Sequence, residues 1–179
     1  MNIDLSNIYQ KREAESRSLS AENYRGEKGK GGMATTETTL FPNGAQGARE
    51  LGQVWKVSPC LPIASGETVT IMDNEGPGII RHIWITLDSP EWYHLKKIVL
   101  RMYWDGETEP SVEAPIGDFF GLGLGQYFVY ESSLLSVGAL KALNTFFPMP
   151  FHESARITVT NEGEQPISAY YYNIDYEKH

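Results

Sequence analysis

The sequence holds a single cysteine, Cys60, so no disulfide can form within the chain. That scarcity suits a reducing compartment, and the expected location is cytoplasmic. Basic residues are also few: 15 Lys and Arg stand against 23 Asp and Glu, a formal net charge of −8. Nucleic-acid binding needs clustered cations to neutralise phosphates, and that composition opposes it. The densest basic group, Arg25, Lys28 and Lys30, is broken up by Glu22 and Glu27. Nowhere do eighteen apolar residues run together, and the opening MNIDLSNIYQKREAESRS has no apolar signal core. No membrane partner is expected.

Several chemistries are missing their motifs. The histidines His82, His94, His152 and His179 show no HxH or HxxxH spacing, so no metal is expected. Ser132, Ser133 and Ser136 lack the GxSxG elbow of a serine hydrolase. The stretch AENYRGEKGKGG, residues 21–32, invites comparison with a phosphate loop, since Gly26 and Gly31 have the required gap. Gly32 stands where the lysine must be, and Met33 replaces the magnesium-binding hydroxyl. In GLGLGQ (Gly121, Gly123, Gly125), Gln126 occupies the last glycine position of a dinucleotide fingerprint. No cofactor is expected.

Apolar residues at 41% and aromatics at 12% describe a folded globule, and 179 residues fit one domain. Residues 1–17 read as a polar arm or short helix, with a single domain over 18–179. Residues 18–52, rich in Gly, Thr, Glu, Ser and Ala, read as a long loop region or short edge strands. From residue 54 the grammar is that of strands: VWKVSPCLPI, ETVTIMD, GIIRHIWITL and KKIVLRMYWDG are β-branched or aromatic runs between turn formers. In IIRHIWITL both faces carry bulk, which predicts a strand buried between layers. ARITVT, NEGEQP and ISAYYYNIDY read as a hairpin, with Tyr170, Tyr172, Ile174 and Tyr176 on one face. The best helix candidate, SSLLSVGALKAL (132–143), is interrupted by Gly138. The pattern predicts an all-β, antiparallel sandwich or barrel.

Carboxylates concentrate in MYWDGETEPSVEAPIGDFFG, which contains Asp105, Glu107, Glu109, Glu113 and Asp118. Two facing carboxylates are what glycoside hydrolysis uses, one protonated and one ionised. Asp105-Gly106 reads as a turn. Asp118, beside Phe119 and Phe120, either faces a sugar or makes a structural hydrogen bond. Trp55, Trp84, Trp92 and Trp104 can stack on sugars, although core packing is the expected role. Cys60, between Pro59 and Leu61, reads as a small buried filler.

SRSLSAENYRGEKGKGGMA, LGQVWKVSPC, GETVTIMDNEGPGIIRHIWIT, LRMYWDGETEPSVEAPIGDFFGLG, LNTFFPMPF and ARITVTNEGEQPISAYYYNIDYE resemble, in order, the first half of a bacterial family. That family was long catalogued as a domain of unknown function and is classed as glycoside hydrolase family one hundred and seventy-two. The resemblance implies a jelly-roll β-sandwich, the first of two in tandem, and assembly as a homo-oligomer, a trimer or hexamer. It implies metal-free, retaining action on furanosides of the fructofuranose or D-arabinofuranose type. It also implies that this chain has no catalytic residue of its own. The family's catalytic glutamates lie in the second roll, in GEGE and GTEDYFG segments, and here Gly117-Asp118 stands where Glu-Asp would. The opening loop carries over, so Glu22, Asn23, Lys28 and Lys30, with Asp118, are expected to bind a carbohydrate ligand or to pack against a neighbouring subunit. A noncatalytic sugar-binding or oligomer-forming module is the alternative reading.

Overall fold

The computed structural model describes residues 9–39, 48 and 50–179. Residues 1–8 of the expected arm, and 40–47 and 49 of the loop region, lie outside them. In chain order the strands are β1 (Glu15–Ser20), β2 (Leu61–Ile63), β3 (Thr68–Glu75), β4 (Gly78–Asp88), β5 (Ile98–Trp104) and β6 (Val112–Pro115). After these come β7 (Tyr130–Glu131), β8 (Leu135–Val137), β9 (Leu143–Thr145), β10 (Met149–Phe151), β11 (Ser154–Asn161) and β12 (Ile167–Lys178). The described helices are single turns, α1 (His94–Lys97) and α2 (Ile116–Phe119), with a 3-10 turn at Ala139–Lys141. None is long and apolar enough to cross a membrane.

Among the described residues all strand pairings are antiparallel. One sheet runs β1-β12-β4-β9-β8-β7, with β2 beside β12 and β10 beside β4; the other runs β3-β11-β5-β6. The order β2-β12-β4-β9 facing β3-β11-β5-β6 is that of a jelly roll, since successive strands repeatedly change sheet. Each strand therefore needs one apolar face, and the two faces meet in a core that includes Ile83, Ile85, Leu100, Ile157, Tyr170 and Ile174. Strand β1 runs through the expected arm boundary at residue 17, pairing Glu15 with Lys178 and Ser20 with Asn173.

Three expectations are corrected. The segments ARITVT and ISAYYYNIDY form no hairpin: β11 lies in the small sheet and β12 in the large one. The chain crosses between them over buried Asn161, whose Nδ2 donates to the Ile63 carbonyl at 3.2 Å and the Gln165 carbonyl at 3.0 Å. Strand β4 is not buried on both faces. Asp175 pairs with His82 and Tyr176 with Ile80, so Arg81 is bulged out and the alternation slips there. Ile80 and Ile83 consequently both face the core, while Ile79, His82 and Trp84 stay half-buried. Residues 132–143 form no helix but β8, a turn and β9, in which Leu140 and Lys141 take left-handed φ of 58° and 65°.

Asp105 is the turn residue expected, and it does more than turn. Its Oδ1 accepts from the backbone N–H groups of His152, Glu153 and Ser154 at 2.8, 2.7 and 3.2 Å. Led by the Glu153 N–H, these bonds hold its carboxyl below the usual aspartate range. Its φ of 53° also suits Asp or Asn better than a residue with no local acceptor. Asp105→Ala is expected to lower the melting temperature by about 5 °C, with Asp105→Asn losing less. Because the folded pKa is depressed, this contribution is present above the unfolded carboxyl pKa and fades as pH falls through the folded value. Thermal melts at pH 7 and pH 3 check both statements.

Candidate functional site

The loop after β1 is built by its own side chains. Asn23 N–H donates to the Ser20 carbonyl at 2.9 Å, closing the turn out of the strand. The Asn23 side chain then bridges Glu27 twice: Oδ1 accepts its N–H at 3.1 Å, and Nδ2 donates to its carbonyl at 2.9 Å. Gly26 sits at φ +62°, where a Cβ would stand 3.2 Å from Leu19 Cγ and 3.3 Å from the Tyr176 ring. Glycine is needed there on both counts. The Asn23 amide thus holds the loop's shape with one donor and one acceptor site, and the residue lines both clefts described next.

Folded in this way, the loop walls a cleft of about 330 Å³, lined among others by Glu22, Arg25, Lys30, Thr38 and Gln53. A second cleft, about 310 Å³, lies against Glu22 and Asn23 and is lined also by Ser18, Lys56 and Asn173. Glu22 borders both. Its Oε1 accepts the Ser58 N–H at 2.6 Å. Its Oε2 is buried without a hydrogen-bond partner. Lys28 lines neither cleft and reaches Glu15 at 3.5 Å. Arg17, and after it Lys28, hold the Glu15 carboxyl below its ordinary value.

Asp118 belongs to another part of the surface. It lies on α2, where Lys96 Nζ donates to its two oxygens at 2.6 and 2.7 Å and to the Gly123 carbonyl at 3.1 Å. Those bonds tie α2 to α1 and to the glycine-rich turn that follows it. Its neighbours in the acidic stretch are similarly placed: Glu113 pairs with Arg101 at 2.8 Å, and Glu107 and Glu109 are exposed. Among the described residues, no group of His, Cys, Asp and Glu is placed to hold a metal.

The remaining candidates divide. Cys60 is buried as expected, and burial pushes its thiol up, away from nucleophile chemistry. Trp104 packs against the core, whereas Trp55 and Trp92 are 54% and 77% exposed. Sequence reasoning passed over Thr38, Gln53 and Lys56, which lack any motif. Only the folding of the loop shows that they face the clefts. It also missed the outer face of the large sheet, where His82 lies between Asp175 Oδ2 and Asn144 Oδ1, each at 3.1 Å.

Residues 57–174 match the GH172 domain-like family. The chain belongs to it. The matched GH172 domain-like span runs from just before β2 into β12, so it covers every described strand but β1 and ends before the last four residues of β12. The loop of residues 21–38 and strand β1 lie before the match, joined to it by the pairing of β1 with β12. No curated protein matches the chain. Membership of the GH172 domain-like family makes this a glycoside-hydrolase-related domain.

Proposed function

We propose that this chain is the carbohydrate-holding jelly roll of a furanoside-active glycoside hydrolase, and that it breaks no glycosidic bond alone. The observation that carries the reading is Glu22, a carboxylate at the wall shared by two clefts lined largely by polar side chains. A carboxylate only accepts hydrogen bonds, and a hydroxyl-rich ligand supplies donors. Cations and amides around it, Lys30, Lys56 and Gln53, provide complementary groups.

Hydrolysis requires more. A retaining mechanism needs two carboxyl groups about 5–5.5 Å apart, one kept protonated by its surroundings. Glu27 shares the first cleft with Glu22, yet it is exposed to water, which removes the burial a general acid depends on. Asp118 is neutralised by Lys96 and lines neither cleft. The glutamates that complete the reaction are proposed to come from a second jelly roll, in a homo-oligomer whose subunits meet near the loop.

Calorimetric titration with methyl arabinofuranoside and with a fructofuranoside is expected to show millimolar binding, weakened about tenfold in Glu22→Gln. The same chain is expected to release no nitrophenol from aryl furanosides. Absence of heat at millimolar sugar overturns the binding claim. Turnover abolished by Glu22→Gln overturns the claim of inactivity.

A further inference from the structure

Away from the loop clefts, at one end of the sandwich, a cavity of about 320 Å³ is lined by Trp92, His94, Gln126, Tyr127 and Lys141, with Glu91 at its side. Its walls come from the segment between β4 and β5, the glycine-rich GLGLGQ run, and the turn between β8 and β9. We propose that this cavity is a second carbohydrate subsite, selective for an acidic sugar, with the sugar ring on Trp92 and its carboxylate on Lys141. The sugar half of this rests on the reading of the chain as a carbohydrate-holding domain.

Lys141 supplies the charge. Both it and Leu140 hold left-handed backbone, a conformation that non-glycine residues adopt only under constraint. The outcome is that the Lys141 ammonium stands 5.4 Å from the centroid of the Tyr127 ring. Among the described residues no carboxylate pairs with it, on a chain whose net charge is −8. A ring face attracts the cation but leaves its N–H donors unused.

Neighbouring groups do not cancel that charge. Glu91 is engaged by Lys97 and accepts the Gln165 N–H at 3.2 Å. His94 Nδ1 lies 2.6 Å from the Glu91 carbonyl, which can only accept, so that nitrogen carries the proton. In the neutral ring Nε2 then accepts from the Tyr127 hydroxyl at 3.2 Å, fixing Tyr127 as the floor beneath Lys141. Trp92, 77% exposed, offers a flat apolar face at the mouth. Gly125 makes the close fit possible, since a Cβ there would lie 3.1 Å from Lys96 and 3.2 Å from Tyr93. An aromatic platform beside one unpaired cation and an amide, Gln126, is the chemistry that recognises a uronate.

The test titrates the full chain with glucuronate and galacturonate against glucose and galactose, by calorimetry. The acids are expected to bind in the millimolar range, at least about fivefold tighter than the neutral sugars. Lys141→Gln is expected to erase that difference, and Trp92→Ala to weaken both acids about tenfold. Glu22→Gln should leave them unchanged, so failure at the loop cleft and failure here are separable. Uronates that bind no tighter than neutral sugars, or equally well to Lys141→Gln, overturn the proposal. So does a concentration-dependent dimer abolished by Trp92→Ala, which would make this end a contact between copies of the chain.

Discussion

Replacing Gly117 with glutamate is expected to lower the melting temperature by about 10 °C and to yield no glycosidase. The resemblance aligns Gly117-Asp118 with the Glu-Asp of the catalytic loop, so the substitution looks like the repair of a lost active site. Geometry opposes it. Gly117 is buried on α2, and a Cβ there would stand 2.9 Å from both the Cβ and the carbonyl oxygen of Leu95, and 3.2 Å from the Leu122 carbonyl oxygen. Two of those three atoms are backbone, which cannot swing aside. The Gly117 carbonyl is itself held by the Leu122 N–H at 2.7 Å. Glutamate must therefore push α1 from α2 or pull the 120–125 turn open. Gly117→Ala serves as the control and should already show most of the loss. A folded Gly117→Glu protein that hydrolyses an aryl furanoside would mean that this loop retains a substrate site.

The second large effect is alkaline unfolding. Tyr170 is wholly buried, and burial, followed by the nearby Tyr172 and Tyr127, pushes its hydroxyl well above the ordinary tyrosine value. Burial raises Tyr172 as well, and carries Tyr127 up to about 12. In each case the folded state holds a proton that the unfolded chain releases near pH 10. Stability is consequently full below pH 10 and falls above it, by roughly 1.4 kcal/mol per pH unit for each such tyrosine until its folded value is reached. Urea midpoints measured from pH 9 to 11.5 should drop steeply beyond pH 10. Tyr170→Phe isolates one contribution. The Tyr170 hydroxyl has no hydrogen-bond partner, so removing it is expected to stabilise the protein by about 1 kcal/mol at pH 7 and to flatten the alkaline slope. A slope unchanged in Tyr170→Phe and Tyr172→Phe would assign the transition to other groups.

These tyrosines also mark what was legible beforehand. A period of two puts Tyr170, Tyr172, Ile174 and Tyr176 on one face, and that is the face the structure buries, because a strand with one wet side must alternate. The same period says nothing about partners. Residues 154–161 and 167–178 carry the turn formers of a hairpin, yet Asn161 uses its amide to bind the strand of the facing sheet. The slip at Arg81 was equally silent, since a bulge costs no special residue and shows only as a second isoleucine, Ile83, facing the core out of phase with Ile80. At the loop, composition marks the segment, and it is the family resemblance that points to Glu22 within it. What could not be read was that Asn23 would also bridge Glu27 and that Lys28 would turn away to Glu15. For Asp118 the sequence leaves a sugar-facing and a structural role open, and its partner Lys96 is twenty-two positions away, a distance that no local pattern spans.

Strand β12 has a further meaning for how the molecule comes into being. It is flanked on one side by β1 and β2 and on the other by β4, and Arg12 reaches Glu177 across 165 positions of sequence. The larger layer therefore has no middle until the ribosome has passed residue 178. Until then β1 and β4 hold their apolar sides and their backbone edges with nothing between them. Closure of that layer is therefore a single long-range event, the docking of β12 between two strands whose pairing partners lie more than eighty positions before it.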